Sequence, residues 1–153
     1  MTGWLELNQG TLEHRLAGFN LLAELCPRVP VIVETGSLRS PGNVSGDGNA
    51  TMLFDELTAA TGVVHSIDID PVCGRNIAEH CGSQVVFHQW DSVKALYELR
   101  DVFGKVDILY LDSLDVDFAN DELAARHALH EVQAATPMLK KSSIVAVDDN
   151  NPD

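Results

Sequence analysis

Basic side chains are scarce in this sequence. Ten Lys and Arg stand against 23 Asp and Glu, a formal net charge of −13. A surface of that sign repels phosphate, which argues against generic binding to nucleic acid or to an anionic membrane. Cysteine is scarce too. Cys26, Cys73 and Cys81 make an odd number without CxxC spacing, so they read as free thiols of a reducing compartment rather than as a disulfide framework or a zinc site. No apolar run is long enough to span a bilayer. The opening residues, MTGWLELNQG, have neither a basic start nor an apolar stretch and do not read as a signal peptide. Repeats and low-complexity tracts are also missing. The expectation is one cytoplasmic domain over 1–153, with 45% hydrophobic residues to build its core.

What is present is an alternation. Leu12, Leu16, Phe19, Leu22 and Cys26 recur at helical spacing over 11–26, and Pro27 and Pro30 end that helix. Strands are expected at 31–34, 63–70, 84–89, 106–112 and 142–149, with helices at 50–62, 71–81, 92–103 and 120–139 between them. Strands separated by helices pair in parallel through crossovers. Their near-continuous apolar runs suit a sheet covered on both faces. The fold class is therefore α/β, an open doubly wound, mainly parallel five-stranded sheet, with 1–29 as an N-terminal helix and 30–150 as the sheet-bearing core.

In such sheets the ligand crevice lies beyond the carboxyl ends of the strands. Glu34-Thr35-Gly36 follows the first strand, and Asp68 and Asp70 close the second. Trp90-Asp91-Ser92 follows the third, Asp112-Ser113-Leu114-Asp115 the fourth and Asp148-Asp149-Asn150 the fifth. Every strand ends in an acid, and apart from Arg39, just past the first segment, the rim carries almost no Lys or Arg. Like charges gathered on one rim need a cation or donor groups to compensate them. The stretch VIVETGSLRSPGNVSGDGNAT, residues 31–51, holds four of the eleven glycines. It has neither the GxGxxG spacing of a dinucleotide site nor the GK[ST] of a P-loop, and Glu34 would repel a pyrophosphate. Acids suit a cationic ligand, and a carboxylate after the second strand suits two ribose hydroxyls. S-adenosylmethionine joins a sulfonium, an ammonium and a ribose without phosphate.

On these residues the sequence resembles the class I S-adenosylmethionine-dependent methyltransferases over about residues 30–150. The resemblance implies that Glu34, Gly36, Ser37 and Gly48 form the cofactor loop, with an insertion across 38–47. It assigns Asp68 to the ribose and Asp91-Ser92 to the adenine. Within the class the pattern is similar to the metal-dependent O-methyltransferases of the catechol and caffeoyl-CoA type. That resemblance implies a divalent cation, Mg²⁺ or Mn²⁺, held by Asp112, Asp149 and Asn150. It places Asp112 and Asp115 as catalytic candidates, with Asp115 where the family carries a Lys. The family's sheet normally continues for two more strands past the fifth, and these are missing from a chain that stops at Asp153.

The implied function is methyl transfer to a hydroxyl of a small molecule or glycan. A methyltransferase-like binding module without catalysis, or another Rossmann-like nucleotide or NAD enzyme, stands beside it. The loop at 37–48 is expected to be a lid that orders on ligand binding. An edge strand at the end of the sheet suggests a homodimer. His127 and His130, at i and i+3 on the long helix, read as a solvated face.

Overall fold

The computed structural model describes residues 3–12, 15–44, 49–59, 61–115 and 121–148. They fold in the order α1 (Gly3–Asn8), α2 (Arg15–Leu25), β1 (Val31–Thr35), α3 (Ala50–Thr58), β2 (Val63–Asp68), α4 (Pro71–His80), β3 (Val85–Gln89), α5 (Ser92–Glu98), α6 (Arg100–Phe103), β4 (Val106–Leu111), α7 (Glu122–Ala135), a 3-10 turn (Thr136–Met138) and β5 (Leu139–Val147). The strands make one sheet in the order β3-β2-β1-β4-β5, and every pairing is parallel. This is the α/β, doubly wound architecture expected from the alternation. The strand order reverses between β1 and β4, so the crevice that such a sheet offers a ligand lies there.

The sheet separates two apolar layers. On one face Leu5, Leu12, Phe19, Leu22, Leu53, Phe54 and Ile77 pack against Ile32, Val64, Ile108 and Tyr110. On the other, Ala95, Leu96, Phe103, Ala135 and Met138 pack against Val33, Ile67, Leu109 and Leu111. Alternating residues of β1 therefore enter opposite cores, as the pleat requires.

The boundaries differ from the sequence expectation where tertiary contacts overrule local pattern. The expected helix 11–26 begins at Arg15, because Thr11 and Leu12 close a turn on the Asn8 carbonyl. Leu12 keeps its apolar phase, being buried in the core, without being helical. The short α1 lies ahead of the expected helix 11–26. Its first amides, Gly3 N–H and Trp4 N–H, donate to the Glu56 carboxylate at 2.5 and 2.7 Å, an anion at a helix N-terminus. The helix expected over 92–103 is broken at Leu99, where no Gly or Pro marks the break. Strand β5 starts at Leu139, three residues early. Its polar Lys140–Ser143 segment bulges opposite Asp107, and Ser143 Oγ donates to the Val106 carbonyl at 2.6 Å. Among the described residues no helix is long and apolar enough to cross a membrane.

Candidate functional site

The first rim segment is built by one glycine. Gly36 has φ of +79°, and a Cβ there would lie 1.9 Å from the Asp112 carbonyl oxygen and 2.5 Å from its carbon. The chain leaving β1 thus passes directly against the chain leaving β4, at the reversal of strand order. Gly36 N–H bonds the Ile67 carbonyl at 3.0 Å, and Asp112 N–H bonds the Thr35 carbonyl at 2.8 Å, which fastens the ends of β1, β2 and β4 together.

Asp68 stands at the end of β2, half-buried. Its carboxylate accepts from Ser37 N–H at 3.1 Å and from Asp70 N–H at 2.9 Å. The Ser37 hydroxyl is 2.6 Å from that of Ser66. Asp68 therefore holds the glycine loop and the β2–α4 turn in one register while part of it still meets solvent. Asp70 caps α4 by accepting from Val72 N–H at 2.8 Å, ahead of Pro71 in the first turn. Asp91 caps α5 in the same way through Lys94 N–H at 2.9 Å. Ser92, buried just after it, lies 3.1 Å from His127 Nε2.

Glu34 is placed differently from the other rim acids. It lies inside β1, 1% exposed, and accepts from Thr51 Oγ at 2.7 Å. Its strand neighbours are Ser66 and Tyr110. Burial, with Asp112 and Asp68 adding negative charge, pushes its carboxyl up to about 8 against the hydrogen bonds of Ser66 and Thr51. A carboxyl raised from 4.5 to about 8 binds more protons folded than unfolded across that interval, so it removes stability as pH rises through it. His65 is pushed down to about 4, by burial and then by His88, and works in the opposite sense: stability is lost as pH falls from 6.5. The two are separated by comparing variants. Glu34→Gln should flatten the decline of unfolding free energy toward alkaline pH by up to about 1.4 kcal/mol per pH unit. Parallel curves for Glu34→Gln and wild type in urea titrations from roughly pH 5 to 8 would show that Glu34 is ionised throughout.

The acids at the ends of β4 and β5 carry a countercharge that their flanking sequence did not show. Arg15, the first residue of α2, reaches them through space. Its guanidinium is 3.9 Å from Asp112, pairs with Asp148 and donates to Tyr110 Oη at 3.1 Å. Tyr110 in turn donates to Asp148 at 2.6 Å. Burial first, and then the Asp148 charge, push the Tyr110 phenol up, so it stays a donor. Asp115 is mostly exposed and pairs with Arg39 at 3.3 Å, joining the loop after β1 to the loop after β4. The rim is thus less starved of cations than its flanking sequence suggests.

Gly48, Asp149 and Asn150 lie outside the described residues. Of the expected cation donors only Asp112 is described, and Arg15 already lies beside it. Among the described residues no group of three or more His, Cys, Asp and Glu side chains could hold a metal ion. The described donors therefore do not by themselves fit a divalent cation.

The lid expectation needs correction over 37–43. Ser37 and Leu38 are buried, Leu38 as a full core residue. Asn76 Nδ2 on α4 donates to the Leu38 and Arg39 carbonyls at 2.9 and 2.8 Å, and Asn49 Nδ2 to those of Ser40 and Asn43 at 3.2 and 2.7 Å. Two asparagines thus staple this segment to α4 and to the start of α3. Residues 45–48 lie outside the described residues. His127, read as part of a solvated face, instead meets Ser92 and lies 3.4 Å from Glu131. His130 is exposed, as expected.

No protein-family model and no curated protein matches the chain. Solved structures do. A MycE methyltransferase from the mycinamycin biosynthetic pathway, in complex with Mg, SAH and mycinamycin VI, superposes at a TM-score of 0.63 with 12% identity, over 87% of this chain and 33% of that one. NSun6 from Pyrococcus horikoshii with SFG gives 0.58 and 20%, over 84% and 35%. A Methanococcus jannaschii fibrillarin pre-rRNA processing protein gives 0.53 and 19%, over 80% and 46%. The chain spans about a third of the length of the MycE chain. At these identities the likeness establishes the fold, that of the class I S-adenosylmethionine-dependent methyltransferases.

Proposed function

We propose that this chain is a single S-adenosylmethionine-binding domain and that it transfers the methyl group to a hydroxyl of a small molecule or glycan, in the cytoplasm. The observation that carries the reading is the glycine-restricted crossing of Gly36 and Asp112 at the reversal of strand order, with Asp68 partly exposed at the neighbouring strand end. A carboxylate at the end of the second strand suits a ribose diol, and an acidic rim suits a sulfonium. The cofactor found with the MycE neighbours, SAH, belongs to the same chemistry.

In this reading Asp68 accepts from the ribose hydroxyls. Asp91 and Ser92 border the adenine, and Gly36, Ser37 and Gly48 let the chain pass close to the methionine end. Glu34 supports that end from beneath through Thr51. The sulfonium already activates the methyl group, so alignment of donor and acceptor is the main task of the protein, worth roughly 7–11 kcal/mol when complete. Asp112 and Asp115 are the carboxylates assigned to the acceptor side. A divalent cation on Asp112, Asp149 and Asn150, the finer part of the reading, would lower the acceptor hydroxyl's pKa. It would also have to share Asp112 with Arg15.

The net charge of −13 favours a small acceptor over RNA, although fibrillarin, named for pre-rRNA processing, shares the fold. The edge strand β5, with Val145 and Val147 exposed, suits a homodimer. The test is transfer of labelled methyl from S-adenosylmethionine to catechol-like and sugar diols, with an RNA pool alongside. Turnover on a diol that disappears in excess EDTA and returns with Mg²⁺ or Mn²⁺ is the expected result. Undiminished turnover in EDTA would remove the cation and leave Arg15 as the countercharge. Tight cofactor binding without turnover on any acceptor would favour a binding module.

A further inference from the structure

Helix α7 turns one row of residues, 124, 128, 131 and 135, toward α5 and the sheet. Three of the four are alanines, and Ala124 and Ala135 are buried. The fourth is Glu131, 1% exposed. A carboxylate in such a row costs stability unless donors meet it, and an apolar residue would fill the place more cheaply. Donors do meet it, and they come from the rim. Ser113 Oγ, in the loop that leaves β4, donates to Glu131 Oε1 at 2.7 Å. His127 Nε2, one turn back on α7, lies 3.4 Å from the same oxygen and 3.1 Å from Ser92 Oγ. Glu131 thus ties together the segments that follow β3 and β4. The set is not a nucleophile relay. In a Ser-His-acid triad the acid holds Nδ1 and leaves Nε2 to the serine, whereas here both partners share Nε2.

We propose that Glu131 and His127 are positioning residues for the purine of the cofactor. They fix Ser92 and Ser113, and through Ser92 the adjoining Asp91, so that the crevice presents a carboxylate acceptor to the 6-amino group of adenine. The proposal rests on the S-adenosylmethionine reading. It adds that selectivity for a 6-amino over a 6-oxo purine is set from α7, one layer beneath the crevice. A carboxylate accepts from an amino group and repels a carbonyl oxygen, so the sign of the preference follows from Asp91.

The experiment compares S-adenosylhomocysteine with its S-inosyl counterpart by isothermal titration on the full chain. The wild type is expected to prefer the amino purine by at least about tenfold. Glu131→Leu fills the same space without an acceptor. It should fold with an unchanged or higher Tm, weaken S-adenosylhomocysteine by about tenfold and reduce the preference to roughly threefold or less. Glu131→Gln retains an acceptor for Ser113 and should restore most of the affinity. If Glu131→Leu binds both purines as the wild type does, or weakens both equally, Glu131 is only a structural residue and the proposal falls. If Glu131→Leu does not fold, His127→Phe carries the same comparison and the same criterion. If the wild type binds neither ligand, the S-adenosylmethionine reading fails and takes this proposal with it.

Discussion

Gly36→Ala is expected to destabilise the protein by more than about 3 kcal/mol and to abolish cofactor binding. The left-handed backbone alone costs an alanine about 1–2 kcal/mol. The remainder comes from the added methyl, which would stand 1.9 Å from the Asp112 carbonyl oxygen and 3.1 Å from the Ser113 nitrogen. Both are backbone atoms, so no side chain can swing away. Either β4 moves outward, breaking the bond from Asp112 N–H to the Thr35 carbonyl, or the glycine loop lifts off Asp68. Both changes open the crevice at its centre. Gly42→Ala is the control. Gly42 also has a positive φ, +92°, but among the described residues nothing lies within 4 Å of its Cβ position. It should lose only the backbone part, about 1–2 kcal/mol, and bind ligand normally. Urea unfolding of the two variants measures the difference. Equal stability of the pair would mean that the close crossing of β1 and β4 is not tight in solution.

Asp68→Ala is expected to weaken S-adenosylmethionine and S-adenosylhomocysteine by about 10- to 100-fold, the equivalent of roughly 1.5–3 kcal/mol for charge-assisted hydrogen bonds. The carboxylate already accepts from Ser37 N–H and Asp70 N–H. Under the proposed function its removal costs the ligand twice, through the lost ribose acceptor and through a glycine loop no longer held to β2. Asp68→Asn retains one acceptor oxygen and should fall between the wild type and the alanine variant. Titration calorimetry measures the affinities, and thermal melts show that the fold survives. Unchanged affinity in Asp68→Ala would remove the residue from the site.

The architecture was legible because it depends on order and period. Five apolar runs alternating with helical patterns leave few arrangements other than a parallel sheet. Once the strands are placed, the rim residues follow from chain order, and that is how Gly36, Asp68, Asp91, Ser92 and Asp112 could be named. What the sequence hid arises from contacts between distant segments. Arg15 lies 133 positions before Asp148 and meets it only because α2 packs across the sheet. Leu38 sits in a glycine-rich loop that reads as a lid, yet it fills the core, held there by Asn76 and Asn49. Glu34 reads as a rim acid, but β1 extends one residue further than expected and the pleat turns its side chain inward. His127 and Glu131 belong to a helix whose pattern separates polar from apolar positions but does not show that the polar pair faces the rim. A signal was available in part. Glu131 falls in the same row as Ala124, Ala128 and Ala135, and a lone acid in an apolar row asks for a partner.

The central claim is that the crevice between β1 and β4 takes S-adenosylmethionine and not a phosphate-bearing dinucleotide. Isothermal titration of the full chain with S-adenosylmethionine, S-adenosylhomocysteine and NAD tests it most directly. The account predicts saturable binding of the first two and none of NAD, whose pyrophosphate the acidic rim would repel. Saturable binding of NAD with no heat from either sulfonium cofactor or its product would contradict it.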